Sequence, residues 1–253
     1  MSEEMKIEDY LAKGGVLSSP ENAPPRYRAE LLRLMASFVD SELAGAAGFA
    51  DAINYGPGIK ERIAAAKIVL EKTDNADKVL KIMGDFGANT TRYVNHHPWT
   101  ARLDRDADIG AERIDGDMRL SVFNYPLAGW NDAVVMNLLM GRAVMLQLKE
   151  HCKLSYQPLA EAFRAILPVE TNHADLAAEG IKRLMETGSD PAELQASVAY
   201  WWPRVDASFG ADKSKRFQSL KKFGLRHLGN AELRKSWQTA TRAELQVLGL
   251  DIK

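Results

Sequence analysis

A single cysteine, Cys152, stands in the 253 residues. An internal disulfide framework is therefore excluded, and a reducing compartment is the expectation. No apolar run reaches the roughly 20 residues that a membrane-spanning helix requires. The opening residues, MSEEMKIEDY, are acidic and lack the charged-then-apolar pattern of a secretory leader. Basic excess is missing too: the net charge is −1, which leaves no global electrostatic footprint for nucleic acid. These absences point to a cytoplasmic protein with neither membrane nor nucleic acid as partner. Its hydrophobic content of 46% is enough for a substantial core.

What is present is helical periodicity, punctuated by proline and glycine. Residues 1–24, with Gly14, Gly15, Pro20 and Pro24, read as an extended N-terminal arm or partner-binding tail, and residues 25–253 as one helical domain. Pro25 suits a helix start. From Arg26 to about Asn54, Leu31, Met35, Phe38, Gly45, Phe49 and Ile53 form an apolar stripe. A second long helix is expected from Ile59 to about Met83, a third from Trp130 to Lys149, and a fourth from Ser155 to Met185 with Pro168 inside it, where a kink is expected. Asp190 reads as a helix cap, with Pro191 in the first turn and Glu193 placed for a capping box. That fifth helix runs to about Phe209 with a bend at Trp201-Trp202-Pro203, and a final helix opens near Asn230. Residues 88–129 are the least regular. The Arg102 to Arg119 loop within them and the N-terminal arm are the expected subunit contacts.

Carboxylates interrupt this apolar pattern. Along the fourth helix, Leu159, Phe163, Ile166, Ala177, Ile181 and Leu184 share one face, and Glu170 and His173 take the two positions where that face should continue. Burying an unpaired carboxylate is costly, so the pair needs a local reason. Glu42 interrupts the first stripe in the same way. In the second helix Glu71 and Asp74 are three residues apart, but Lys67 and Lys78 flank the same side, and a solvated polar face competes with a site there. His96 and His97 are adjacent, so their side chains diverge, which argues against shared ligation. Four long helices with inward carboxylates and a Glu-x-x-His pair match the ferritin-like plan for a two-metal carboxylate site. At roughly 100° per residue, i and i+3 share a side one turn apart and reach the same metal pair.

Several motifs, taken in order, carry a resemblance. They are Ser41-Glu42, Ala66-Lys67 with Glu71, Trp130-x-Asp132, Ser155-Tyr156-x-Pro158, Glu170-x-x-His173, Trp201-Trp202-Pro203-Arg204 with Phe209-Gly210, and Asn230-x-Glu232-Leu233-Arg234. From about Arg26 to Leu250 the chain resembles the catalytic subunits of phenylacetyl-CoA epoxidase and related ferritin-like diiron monooxygenases of bacterial aromatic degradation. The resemblance implies an all-α, ferritin-like four-helix bundle with additional C-terminal helices. It also implies metal ligands at Glu42, Glu71, Asp74, Glu170 and His173. Two positions depart from the family pattern: Asp74 stands where the family has histidine, and Gly141 where it has a carboxylate. Gly141 reads either as a lost ligand, its gap open to water, substrate or Asn137, or as a close approach of two helices.

Three functions remain open at this point. The first is an O2-activating oxygenase subunit with two iron ions, or manganese, acting on an aromatic or other acyl-CoA thioester. It would take electrons from a separate reductase and associate with a ferritin-like partner subunit or further copies of itself. The second is a non-catalytic scaffold subunit with a degenerate metal site, marked by Glu42 and Glu170 being satisfied by buried basic or hydrogen-bonding groups. The third is a one-metal site of Asp74, Glu170 and His173 with hydrolytic or hydroxylating chemistry. A basic cluster that includes Lys221, Lys222 and Arg226 reads either as a solvated helix face or as a site for coenzyme A phosphates.

Overall fold

The computed structural model describes residues 7–95, 98–114 and 116–252; His96 and His97 lie outside them. Its helices are α1 (Ile7–Ala12), α2 (Pro25–Ala52), α3 (Ile59–Asp85), α4 (Thr91–Asn95), α5 (Trp130–His151), α6 (Gln157–Glu186), α7 (Pro191–Ala207), α8 (Phe217–Lys222) and α9 (Asn230–Val247). The short turns after α2 and α5 fold the chain back on itself, so α2–α3 and α5–α6 form two helical hairpins, each packed along its length. Contact between α3 and α6 joins the hairpins, while α7 and α9 pack on α5. The fold is all-α and ferritin-like, with additional C-terminal helices. No described helix is long and apolar enough to cross a membrane.

The helix ends follow local chemistry. Pro25 occupies the first turn of α2, where its missing N–H removes no helical hydrogen bond. Asp190 caps α7 by accepting from Ala192 N at 2.8 Å. Glu193 does not complete a capping box; its carboxylate accepts from Asn131 Nδ2 at 3.0 Å. Pro168 and Pro203 both lie within continuous helix, so neither breaks the element that contains it.

The core is divided along its length. Leu31, Met35 and Val39 of α2, Ala76, Val79 and Met83 of α3, and Leu159, Phe163 and Ile166 of α6 form one buried cluster. Beyond it Phe49, Ala52, Ala65 and Ile68 pack in a second, and Ala177, Ile181 and Leu184 in a third. Between these clusters all three helices place polar residues at one level: Glu42 on α2, Lys72 and Asn75 on α3, and Glu170 and His173 on α6, every one buried. A polar layer thus crosses an otherwise apolar core.

The N-terminal segment is not a free arm over its described part. Leu11, Leu17 and Ala23 are buried. Leu17 donates its N–H to Ser155 O at 2.7 Å and accepts from Gln157 N at 2.8 Å, fastening the segment to the start of α6. Glycine and proline signalled irregular backbone here, but three small apolar anchors were enough to draw it onto the bundle. The 98–124 region is also tethered: Met118 N donates to Asp40 Oδ2 at 2.6 Å and Leu120 N to Ser41 Oγ at 3.1 Å.

Candidate metal centre and adjoining cleft

Lys72 is the hub of the polar layer. Its Nζ donates to Glu170 Oε2 at 2.8 Å and to Glu42 Oε1 at 3.2 Å, and all three side chains are buried. Asn75, one turn further along α3, donates from Nδ2 to Glu170 Oε1 at 3.1 Å. His173 Nε2 lies 2.7 Å from Glu71 Oε2, at the edge of the layer, where Glu71 also pairs with Lys67 at 3.6 Å. The helix spacing explains the layout, because Lys72 and Asn75 stand at i and i+3 on α3 and face Glu170 and His173 at i and i+3 on α6.

Electrostatics follow from one ammonium among two carboxylates. Burial alone opposes charge on each of them. For Glu170 the neighbouring Lys72 and His173 outweigh burial and hold the carboxyl well below the usual carboxylate range. Glu42 goes the other way: burial and the charge of Glu170 raise it, and Lys72 offsets only part of this. Burial pulls Lys72 down, yet Glu170 and Glu42 outweigh it and keep the ammonium charged. The layer thus holds a tightly bonded Lys72–Glu170 ion pair, with Glu42 as its more weakly ionised neighbour.

Four of the five sequence-derived ligands, Glu42, Glu71, Glu170 and His173, gather here. Asp74 does not. It lies on the outer side of α3, 59% exposed, in an ion pair with Lys78 four residues on. The solvated-face reading of that position is the one that the structure supports.

Gly141 on α5 is a site of close helix approach: a Cβ there would fall 2.9 Å from Ala174 Cβ and 3.3 Å from Ala174 Cα on α6. Asn137, one turn earlier, donates from Nδ2 to His173 O at 3.0 Å. It therefore serves the backbone of α6. A void of about 30 Å³ beside Lys72, Glu170, Asn137 and Gly141 is water-sized.

This donor set does not fit a pair of metal ions. An ammonium is bonded to both carboxylates that a bridging metal would use, an amide N–H of Asn75 points at Glu170, and Gly141 supplies no ligand. Glu42 Oε2 lacks a hydrogen-bond partner among the described residues, and His173 Nδ1 lies 3.3 Å from Glu170 Oε1, so neither atom adds a free ligand pair. Among the described residues no group of three or more His, Cys, Asp or Glu side chains is arranged to hold a metal ion. The one-metal set of Asp74, Glu170 and His173 fails because Asp74 faces away.

From Glu42 a cleft of about 370 Å³ opens toward the surface. Its inner wall is apolar, with Phe38, Phe123, Met140, Val144 and Leu148, and its exposed end carries Arg33, Arg113 and Arg216, with half-buried Arg226 nearby. Arg226 is held by Gln147 Oε1 at 2.6 Å and Asn230 Oδ1 at 3.3 Å. His151 also lines the cleft; burial and the nearby Arg226 push its imidazole down to about 3, so it is neutral at physiological pH. Lys221 and Lys222 are exposed on α8 and do not line the cleft. The basic cluster therefore splits, with Arg226 at the cleft and the two lysines on a solvated face.

Sequence reasoning missed Lys72 and Asn75, each one residue past the positions it named. The signal was present: Ala65, Ile68, Ala76, Val79 and Met83 make the buried stripe of α3, and Lys72 interrupts it as Glu170 interrupts α6. The arginines at the cleft mouth come from α2, the loop after α4 and the segment before α8, and no local pattern unites them.

A ferritin-like helical bundle whose central carboxylates close on a lysine defines the class of fold and site. Comparison with known proteins gives the family. The family model described as phenylacetic acid catabolic protein matches residues 5–253, and the chain belongs to that family. It is also similar to the A component of the 1,2-phenylacetyl-CoA epoxidase of Escherichia coli (strain K12), at 25% identity over 258 residues, covering 100% of this chain and 78% of the relative.

Proposed function

We propose that this chain is a ferritin-like subunit of a larger, phenylacetyl-CoA epoxidase-like assembly, and that it holds an aromatic or other acyl-CoA thioester. The carrying observation is the cleft. Its volume of about 370 Å³ lies within the roughly 300–1,000 Å³ range of small-molecule sites. Its exposed end is predominantly basic, with Glu30 as the one carboxylate there, paired with Arg216. Coenzyme A phosphates meet the arginines of the exposed end, where guanidinium groups bind phosphate oxygens in pairs. The acyl group enters the apolar wall formed by Phe38, Phe123 and Met140 and stops at the Glu42 carboxyl.

Bound iron would supply O2 activation in such an assembly, but the polar layer here does not fit it, and no redox step is assigned to this chain. Its own residues bind and orient the thioester and keep bulk water from the inner end. The metal-bearing chain is then a ferritin-like partner, with electrons from a separate reductase. This favours the non-catalytic reading, for which satisfaction of Glu42 and Glu170 by a buried base is the supporting observation.

Calorimetric titration with phenylacetyl-CoA tests the thioester reading. Binding is expected, with free phenylacetate failing to bind, and paired Arg33→Ala and Arg216→Ala replacement should weaken it by about tenfold or more through loss of phosphate contacts. No detectable binding of the thioester to the wild-type chain or its assembled complex overturns the proposal.

A further inference from the structure

We propose that Lys72 is a built-in cation holding the place of the metal pair, and that Lys72-x-x-Asn75 on α3 is the counterpart of Glu170-x-x-His173 on α6. The bundle then organises its centre without metal.

A ferritin-like two-metal site draws an i, i+3 pair from each of two helices and a single carboxylate from each of the others. On α6 the pair is intact. On α3 the inward i, i+3 pair is Lys72 and Asn75, while the neighbouring Glu71 and Asp74 reach the edge of the layer and the solvent respectively. Lys72 Nζ stands between the carboxylates of α2 and α6, at 3.2 and 2.8 Å. A bridging divalent ion would sit at roughly 2.0–2.2 Å from those same oxygens. Two cations cannot share that space in a buried layer, where charge repulsion is weakly screened.

Asn75 strengthens the assignment. It turns an N–H, and no lone pair, toward Glu170 Oε1 at 3.1 Å, so the second residue of the pair is a hydrogen-bond donor to the carboxylate. The α5 position is closed as well: Gly141 lets α5 approach Ala174 so nearly that a Cβ would lie 2.9 Å from Ala174 Cβ. A larger, ligating side chain has no room there. Two of the four helices, α3 and α5, therefore depart from metal binding in ways that fit one another: an ammonium satisfies two carboxylates, an amide satisfies the remaining oxygen of one, and the missing ligand is replaced by helix contact. The role of Lys72 depends on α3 and its neighbours and is independent of acyl-CoA binding; loss of one leaves the other standing.

The test uses the full chain and the metals themselves. Wild-type protein is incubated anaerobically with Fe(II) or Mn(II), passed through gel filtration and assayed for bound metal, and its thermal midpoint is recorded with and without chelator. The expected result is no retained metal and no shift with chelator. In parallel, the Lys72→Glu/Asn75→His double variant rebuilds a second i, i+3 ligand pair. It is expected to retain iron or manganese and to gain thermal stability when metal is added. Stoichiometric metal in the wild type, removed by chelator with a fall in midpoint, overturns the proposal. A folded double variant that retains no metal overturns the matching of the two pairs. If the double variant does not fold, the wild-type measurement still decides whether Lys72 replaces metal.

Discussion

Helices α3 and α6 reach the centre of the bundle with the same spacing and opposite chemistry. From α6 come a carboxylate and an imidazole, Glu170 and His173; from α3 come an ammonium and an amide, Lys72 and Asn75. Both pairs interrupt an apolar stripe at one level, and they meet at Glu170, which accepts from Lys72 and Asn75. The contrast teaches that a scaffold built to hold charge at its centre can keep the carboxylates and exchange the cation. The fold needs positive charge there, and the source of that charge is open to change.

Breaking the match from the α3 side has the largest expected effect. Lys72→Met leaves Glu42 and Glu170 facing each other in the core and should cost about 3–5 kcal/mol of unfolding free energy, the usual loss when one partner of a buried ion pair is removed. Chemical denaturation measures it. Adding Glu42→Gln and Glu170→Gln to Lys72→Met should recover most of the loss, since replacing the whole charged group by neutral side chains removes the unpaired charge. A triple variant no more stable than the single one would show that Lys72 matters through packing alone.

The α5–α6 contact is the next weaker point. Gly141→Ala gains about 1 kcal/mol of helix propensity but forces a Cβ against Ala174, and overpacking typically costs about 1–3 kcal/mol. Net destabilisation is expected by thermal unfolding, and Ala174→Gly in the same chain should reverse it.

At the cleft, His151 is neutral in the folded protein and protonates in the unfolded chain below about 6.5. Its folded pKa is depressed, so its contribution is complete above pH 6.5 and declines as pH falls toward 3. A pH series of denaturation curves should show a shallower acid loss for His151→Gln than for wild type. The smallest effect is expected for Asp74→Ala, which removes only an exposed ion pair with Lys78 and should change stability by less than about 1 kcal/mol.

The helices were legible in sequence because proline, glycine and capping residues mark their ends and apolar periodicity marks their faces. The centre was legible on α2 and α6, where Glu42, Glu170 and His173 interrupt clean stripes. On α3 family spacing pointed to Glu71 and Asp74, whereas helix rotation turns Lys72 and Asn75 inward. A difference of one residue rotates a side chain by roughly 100°, enough to exchange a ligand for a surface pair. Several residues of the motifs that carried the family resemblance turn out to be architectural. Asp132 accepts from Ala128 N and Ser197 Oγ, and Ser155 bonds Tyr27 and Phe223 O. Such residues mark the fold and leave the chemistry of its centre open. The cleft was illegible for another reason: its arginines come from distant segments, and only packing assembles them.

The most direct measurement is the anomalous scattering of crystals grown from protein produced with excess iron and manganese. No anomalous peak is expected between Glu42 and Glu170, and Lys72 Nζ should lie in hydrogen-bond contact with both. A peak of metal strength between those carboxylates, with Lys72 turned away, would contradict the substitution of lysine for metal.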